Sequence, residues 1–371
     1  MRLEDIGFYT LCDSRARAAS PVSPLWRGEL LLTARCNFKC PYCRHVGGRD
    51  LPYTEAAATI RLLRSHGLKH LRLSGGEPTL YPGLADLVRE ARGVDRIALS
   101  TNGSAPLAFY RELLAVGVND LSISLDACCA EDGDLMAGGV NGAWAVVVEN
   151  IRALSREVYL TVGVVLTRDN AAHVNETIRF AHDLGVTDIR VIPAAQCDDG
   201  LVVEVADELL AAHPILRYRI DNMQRERGVR GLQVGASNRC GLVVDDLAVM
   251  GAHHYPCIIY LREGGRPIGR LGSNMRSERV KWALEHDTHA DPICRANCID
   301  VCVDYNRRFQ CSNTWIRRIS TGLRGGEATR PTSLGSPAGV LNCMDTPLAS
   351  APLRWVGAKA KPCHAAPSAG V

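Results

Sequence analysis

Several things are missing from this sequence, and each absence narrows what it does. No stretch approaches the ~18 consecutive apolar residues that a membrane helix needs. The first ten residues, MRLEDIGFYT, carry acids early and no apolar core, so they do not read as a secretory signal. The chain is therefore expected in the cytoplasm, with no membrane partner. Net charge is almost absent too, because 43 basic residues face 40 acidic ones and leave +3. No polybasic run occurs. That removes the electrostatic footprint of a nucleic-acid binder and leaves a small molecule, or second a peptide, as the expected substrate.

What is present starts with size. The 371 residues are 46% apolar, enough for one large domain or two modest ones with a sizeable core. Fifteen cysteines are many for a reducing compartment, where stable disulfides are rare. Many of them cluster, which points to metal or cluster ligation.

From about residue 29 to 194, short apolar runs alternate with stretches of helical spacing. The runs at 29–34, 70–74, 96–100, 120–125, 158–166 and 188–193 are rich in Leu, Ile and Val, as strands buried on both faces require. Helical spacing occupies 54–66, 83–92, 106–116, 140–155 and 172–184. Repeated strand–helix units imply a parallel sheet with right-handed crossovers. The expected class is α/β, a partial (βα)6 TIM-like barrel with a small cysteine-rich C-terminal extension. A doubly wound open sheet is the alternative. The expected organisation is an N-terminal extension (1–28), the barrel (29–195), a connecting segment (196–239), the cysteine-rich unit (240–319) and a flexible low-complexity tail (320–371). The connecting segment holds a helical pattern at 204–212 and a basic stretch at 225–230, read as a solvated face. Cys343 and Cys363 in the tail are isolated and are expected to play no cofactor role.

Directly after the first strand comes Cys36-Asn-Phe-Lys-Cys40-Pro-Tyr42-Cys43. Thiolates are the soft ligands that iron–sulfur clusters require, and one compact loop can wrap three corners of a cubane. Three close ligands leave one iron free. Zinc would want a fourth ligand nearby, and His45 lies too close to Cys43 to complete a relaxed tetrahedron. The second strand ends in Ser74-Gly75-Gly76-Glu77-Pro78, the third in Ser100-Thr101-Asn102-Gly103, and the fourth runs Ser122-Ile-Ser124-Leu-Asp126. Each alone also reads as a turn or as the polar face of a strand.

Together, these motifs resemble the signature of the radical S-adenosylmethionine superfamily. The resemblance implies that Cys36, Cys40 and Cys43 hold a [4Fe–4S] cluster whose open iron is chelated by the amino and carboxylate groups of S-adenosylmethionine. One electron then yields methionine and a 5′-deoxyadenosyl radical, which takes a hydrogen atom from the substrate. It further implies cofactor contacts from Tyr42 in the cysteine loop, from Gly75, Gly76 and Glu77 to the methionine amino group, from Ser100, Thr101 and Asn102 along the cofactor, and from Ser122, Ser124 and Asp126 to ribose or carboxylate. Val165 and Ile192 fall on the fifth and sixth strands, where related enzymes pack an apolar side chain against adenine; core packing is the other reading. Arg168 and Asn170 either reach the substrate or cap the next helix. A low-potential electron donor such as flavodoxin or ferredoxin is implied as a partner.

A second group comprises Cys240, Cys257, Cys294, Cys298 and Cys302. Its spacing resembles the auxiliary-cluster extensions called SPASM and twitch domains, in which a β-hairpin and a following helix ligate further [4Fe–4S] clusters. Residues 255–269 are expected to be that hairpin, turning on Gly264-Gly265. Five cysteines plus Cys311 support one auxiliary cluster, on four of the five, better than two. Zinc on four cysteines is the rival. His253 and His254 are expected as a surface pair, Arg262 and Glu263 as exposed, and Asp245-Asp246 as either substrate-facing or capping a turn.

The expected reaction is epimerisation or dehydrogenation of a carbohydrate-like or other small natural product. An auxiliary cluster suits oxidation, while epimerisation needs a thiol to return a hydrogen atom, for which Cys197 and one spare member of the trio Cys294, Cys298 and Cys302 are the candidates; for Cys197 a buried small hydrophobe is the alternative. A ribosomal-peptide maturase ranks second, since about 28 residues ahead of the first strand are too few for a leader-binding domain. A non-enzymatic iron–sulfur carrier or sensor ranks third. The methyltransferase branches are disfavoured, lacking a cobalamin domain or a basic surface.

Overall fold

The computed structural model describes residues 15–44, 47–195, 203–224 and 228–311. Cys197, His45, Cys343, Cys363 and the 320–371 tail lie outside them. After a short α1 (Arg15–Ala18), six strands lie side by side in chain order: β1 (Arg27–Thr33), β2 (His70–Gly75), β3 (Arg96–Thr101), β4 (Asp120–Ser124), β5 (Tyr159–Leu166) and β6 (Asp188–Pro193). Every adjacent pair is parallel. The crossovers run through α2 (Tyr53–Ser65), α3 (Leu84–Glu90), α4 (Leu107–Val116), the pair α5 (Ala130–Met136) and α6 (Ala143–Leu154), and α7 (Val174–Asp183). The sheet does not close, so the architecture is an open βα arc. In such arcs the strands' C-terminal ends carry the chemistry.

The cause is visible in the strands. In β1, Leu30 and Leu32 are fully buried and Leu31 nearly so, because helices cover one face and the arc's interior the other. Each fully buried leucine contributes about 2 kcal/mol by area. Helix α2 buries Ala56, Ala57, Ile60 and Leu63 along one stripe. Among the crossover helices only α5 escaped the sequence pattern: its AEDGDLM buries just Met136, so no apolar stripe announces it.

The C-terminal part continues the same sheet. Beyond α8 (Asp207–Ala212) and α9 (Pro214–Gln224), β7 (Asp246–Met250) pairs parallel to β1 on its free side. It turns into β8 (His253–Tyr255), against which β9 (Gly269–Arg270) is antiparallel. The hairpin thus precedes the expected 255–269. Cys257 has extended backbone and its Sγ accepts from the Tyr260 N–H (3.4 Å), which starts a helix, α10 (Ile258–Arg262). Gly264 at φ +78° ends it. The Gly-Gly pair is a helix stop rather than a hairpin turn.

Three more helices, α11 (Met275–Glu285), α12 (Pro292–Asn297) and α13 (Asp300–Cys311), complete the described chain. Arg276 of α11 donates to the carbonyls of Ser20, Pro21, Ser23 and Val244, fixing the N-terminal segment against it. Other expectations for this region are corrected. Asp246 is buried and paired through two bonds with Arg27 on β1 (2.6 and 3.1 Å), while buried Asp245 accepts from the Tyr305 hydroxyl. His254 is fully buried. Its Nδ1 accepts from Arg279 (3.1 Å), so Nε2 carries the proton and donates to Glu278 (3.0 Å). No helix among the described residues is long and apolar enough to cross a membrane.

Candidate active site

The loop after β1 and the ends of β2, β3, β4 and β6 surround one cavity of about 220 Å³. Cys36, Cys40 and Cys43 reach it together. So do Tyr42, Gly75, Gly76, Ser100, Thr101, Asn102, Ser122, Ser124 and Asp126. The cysteine loop is held in place from three directions. The Lys39 N–H donates to the carbonyl of Ala137 (2.9 Å), the Tyr42 hydroxyl donates to Asp126, and Asn102 Nδ2 bonds Asn37 (2.9 Å) and approaches Cys36 Sγ (3.9 Å). Asp126 also accepts from the Val165 N–H (2.7 Å), which ties the loop to β5.

Gly75 and Gly76 form a cradle that admits no side chain. A Cβ at Gly75 would lie 2.3 Å from the Thr33 carbonyl oxygen, and one at Gly76 2.3 Å from that of Arg35. Gly75 also holds φ at +147°. Backbone polar groups therefore line this side of the cavity. Glu77 is placed behind the wall. It is fully buried; Oε1 accepts from the Thr79 N–H and hydroxyl and from Thr101, and Oε2 from the Asn102 N–H (2.6 Å). Its place makes it the tie between the ends of β2 and β3 rather than a ligand of the cavity. Ile192 is half-buried on β6 and is not part of the wall; neither is Val165. Arg168 is exposed, and buried Asn170 binds the Asp126 and Val165 carbonyls (3.2 and 2.8 Å), so it closes the turn after β5.

Two cations stand in the wall, one of them unread in the sequence and the other expected elsewhere. Arg190 rises from β6 and donates to Ser122 (3.2 Å). A charged residue inside the strand run Ile-Arg-Val-Ile was the available signal. Arg262, expected to be exposed, is half-buried and lines the cavity from α10; Glu263 is half-buried as well. Phe38, Met136, Trp144 and Val147 supply an apolar side.

Burial dominates the electrostatics. It raises Cys36 above the ordinary thiol range and pushes Cys40 up to about 12, with Asp126 adding to the effect. It raises Asp126 to about 6 against the opposing bonds from Tyr42 and Val165. Thiolates here require a compensating positive charge, which a metal centre provides.

A second cavity is walled by all five C-terminal cysteines: Cys240, Cys257, Cys294, Cys298 and Cys302. Burial pushes Cys240 up to about 11 and raises Cys257 and Cys294; for Cys298 the bond to Cys302 comes first and burial second. The wall contains no Lys, Arg or His among the described residues. Such a thiol set offers the soft donors that a metal centre uses. Asp291 accepts from the Ile293 and Cys294 N–H groups and from the Tyr260 hydroxyl, and lies 3.2 Å from His286 Nε2, so α10, α11 and α12 meet around it.

Known proteins resemble this arrangement. The family model described as the Radical SAM superfamily matches residues 30–181. A probable GTP 3′,8-cyclase of Metallosphaera sedula is 30% identical over 179 residues, covering 46% of this chain and 56% of its own. The GTP 3′,8-cyclase of Rhodopseudomonas palustris is 29% identical over 221 residues, covering 53% and 62%. The chain therefore spans little more than half the length of these relatives. The solved structure of native anSMEcpe with bound AdoMet shares the fold at a TM-score of 0.52 and 14% identity, covering 80% of this chain and 99% of that one. Members of this superfamily are enzymes that use a [4Fe–4S] cluster and S-adenosylmethionine. On these matches residues 30–181 of this chain are a radical SAM domain.

Proposed function

We propose that Cys36, Cys40 and Cys43 hold a [4Fe–4S] cluster with S-adenosylmethionine beside it, and that the enzyme dehydrogenates a small molecule through a carbon radical. The observation that carries this reading is the convergence of three thiols and the Gly75–Gly76 cradle on one cavity. When bound and reduced, the cluster supplies the electron that splits S-adenosylmethionine into methionine and a 5′-deoxyadenosyl radical. The chain's own residues do the rest. Glu77 locks the ends of β2 and β3, so that backbone groups at 75–76 and 101–102 keep fixed directions. The Tyr42–Asp126–Val165 chain holds the cysteine loop over β4 and β5. The apolar side formed by Phe38, Met136, Trp144 and Val147 excludes water, which protects a reactive radical from side reactions.

The five-cysteine cavity is the basis for choosing dehydrogenation. Four of its thiolates would complete every iron of a second [4Fe–4S] cluster, leaving no open position, and such a centre accepts an electron rather than binding substrate. Zinc is the competing occupant. Epimerisation would need a thiol to return hydrogen, and the cysteine left over from a four-ligand cluster lies in the wall of the second cavity rather than the first. Reaction on GTP, as the relatives' names state it, is the second reading, carried by 30% identity over 179 residues. A flavodoxin or ferredoxin is proposed as electron source.

Anaerobic reconstitution tests these readings. About eight irons per chain are expected for two cubanes, and dithionite-reduced protein should release 5′-deoxyadenosine from S-adenosylmethionine. No 5′-deoxyadenosine would defeat the radical assignment. About four irons with one zinc would defeat the second cluster. Consumption of GTP would replace dehydrogenation by the second reading.

A further inference from the structure

Arg262 belongs to the C-terminal part of the chain yet stands in the wall of the first cavity. It closes a short bridge between the two cysteine sites. Cys257, in the wall of the second cavity, is the N-cap of α10, and Arg262 is the last residue of that helix. Five residues rise about 7.5 Å. At the far end Arg262 Nη2 donates to the Gly75 carbonyl (3.3 Å), and the next residue, Glu263, pairs with Arg44 (3.5 Å), the neighbour of Cys43. The bridge is stiff. Gly265 packs so closely under Tyr260 that a Cβ there would lie 2.2 Å from the ring, and the Tyr260 hydroxyl is anchored on Asp291 (2.8 Å).

We propose that Arg262 is a cofactor-binding residue whose guanidinium takes the carboxylate of the methionine end of S-adenosylmethionine, so that the C-terminal part completes the barrel's cofactor site. This rests on reading the first cavity as the S-adenosylmethionine site. Within it, resemblance assigns Gly75 and Gly76, which line the cavity, to the methionine amino group. Amino and carboxylate groups sit on one carbon, so a cation resting on the Gly75 carbonyl lies beside the place the carboxylate must occupy. The carbonyl engages one of five guanidinium donors, and the planar fork is shaped to hold a carboxylate with two more. The wall's other cation, Arg190, is directed to Ser122 on β4 and is anchored in the arc itself. Glu263, paired to Arg44, keeps α10 registered on the cysteine loop without neutralising Arg262.

The test compares two ligands on the reconstituted full chain by anaerobic calorimetry: S-adenosylmethionine, and methylthioadenosine, which lacks the amino-acid end. Arg262→Gln should weaken S-adenosylmethionine at least tenfold and shift methylthioadenosine less than twofold, while Arg262→Lys, which keeps the charge but not the fork, should recover only part of that loss. The iron content and circular dichroism of both variants should match wild type. Unchanged S-adenosylmethionine affinity in Arg262→Gln overturns the proposal. Equal weakening of both ligands, or a change in iron content, also overturns it, since the residue would then only support the cavity. A wild-type protein whose reduced-cluster EPR signal does not respond to S-adenosylmethionine would instead sink the reading of the cavity itself.

Discussion

At Gly76 a single carbon atom decides whether the first cavity exists. An added methyl would press on two carbonyl oxygens of the β1 loop, at 2.3 and 2.8 Å, and both belong to backbone that cannot swing aside. Gly76→Ala should therefore leave the sheet intact, because the position lies beyond β2, but weaken S-adenosylmethionine at least tenfold, about 1.4 kcal/mol. Calorimetry on a variant with native circular dichroism measures this, and an unchanged affinity would show that the cradle does not face the cofactor. His70 makes a different kind of point. It is buried against the Trp26 ring (centroids 4.9 Å apart), and burial first, then Arg96, Arg15 and Arg27, lowers its pKa to about 4. Burial, then Arg279, does the same for His254. The unfolded chain takes up these protons near pH 6.5, ahead of the folded one. Stability is thus full above that value and falls as pH drops toward 4. His70→Gln should remove about 2 kcal/mol of the loss between pH 7 and pH 5. Urea unfolding at the two pH values gives the difference, and identical losses in both proteins would refute it.

Elements were legible in the sequence where one physical pattern governed them. The six strands of the arc are buried on both faces and announce themselves as apolar runs; the sequence boundaries lie within two residues of β1 to β6. The helices that cover them carry apolar stripes. The C-terminal elements were harder because polar contacts, not periodicity, build them. Arg279 on α11 is fully buried and donates to the carbonyls of Val243, Asp246, Tyr255 and Pro256. Those carbonyls flank Cys240 on one side and Cys257 on the other, so one guanidinium fixes both strands of the loop that presents two thiols. No sequence pattern marks an arginine for that duty. Glu77 was legible as important but not as a tie, because two of its partners, Thr101 and the Asn102 N–H at the end of β3, lie 24 and 25 residues on. Arg279→Met should cost about 3 kcal/mol, leaving four buried carbonyls without their donor. It should also drop iron from about eight to about four per chain while the first cluster's EPR response to S-adenosylmethionine persists. Full iron retention would show that the cysteine loop holds its shape without this strut.

For the whole molecule, the consequence of β7 is that the barrel and the cysteine-rich part share one sheet. Sequence composition suggests an extension added after a connecting segment; the register instead puts Leu247 beside Gly28 and Val249 beside Leu30, within the largest core cluster. Arg27 and Asp246 seal the start of that pairing, and Asp246 is raised above its usual range by burial despite the partner's opposing pull. A carboxylate so placed depends on Arg27. If β7 is part of the barrel's cooperative unit, native-state hydrogen exchange should give amides of β7 the same opening free energy as those of β1, and both should exceed β9 at the sheet edge. Arg27→Met should then lower β1 and β7 together by about 3 kcal/mol, since it strands a buried charge between them. Mass-spectrometric exchange of peptides covering 27–33 and 246–250 reads both values in one experiment. Should β7 open at much lower free energy than β1, or respond alone to Arg27→Met, the two parts would be separate folding units. Equal opening would mean that the arc holding the three loop cysteines and the bridge carrying Arg262 stand or fall as one structure.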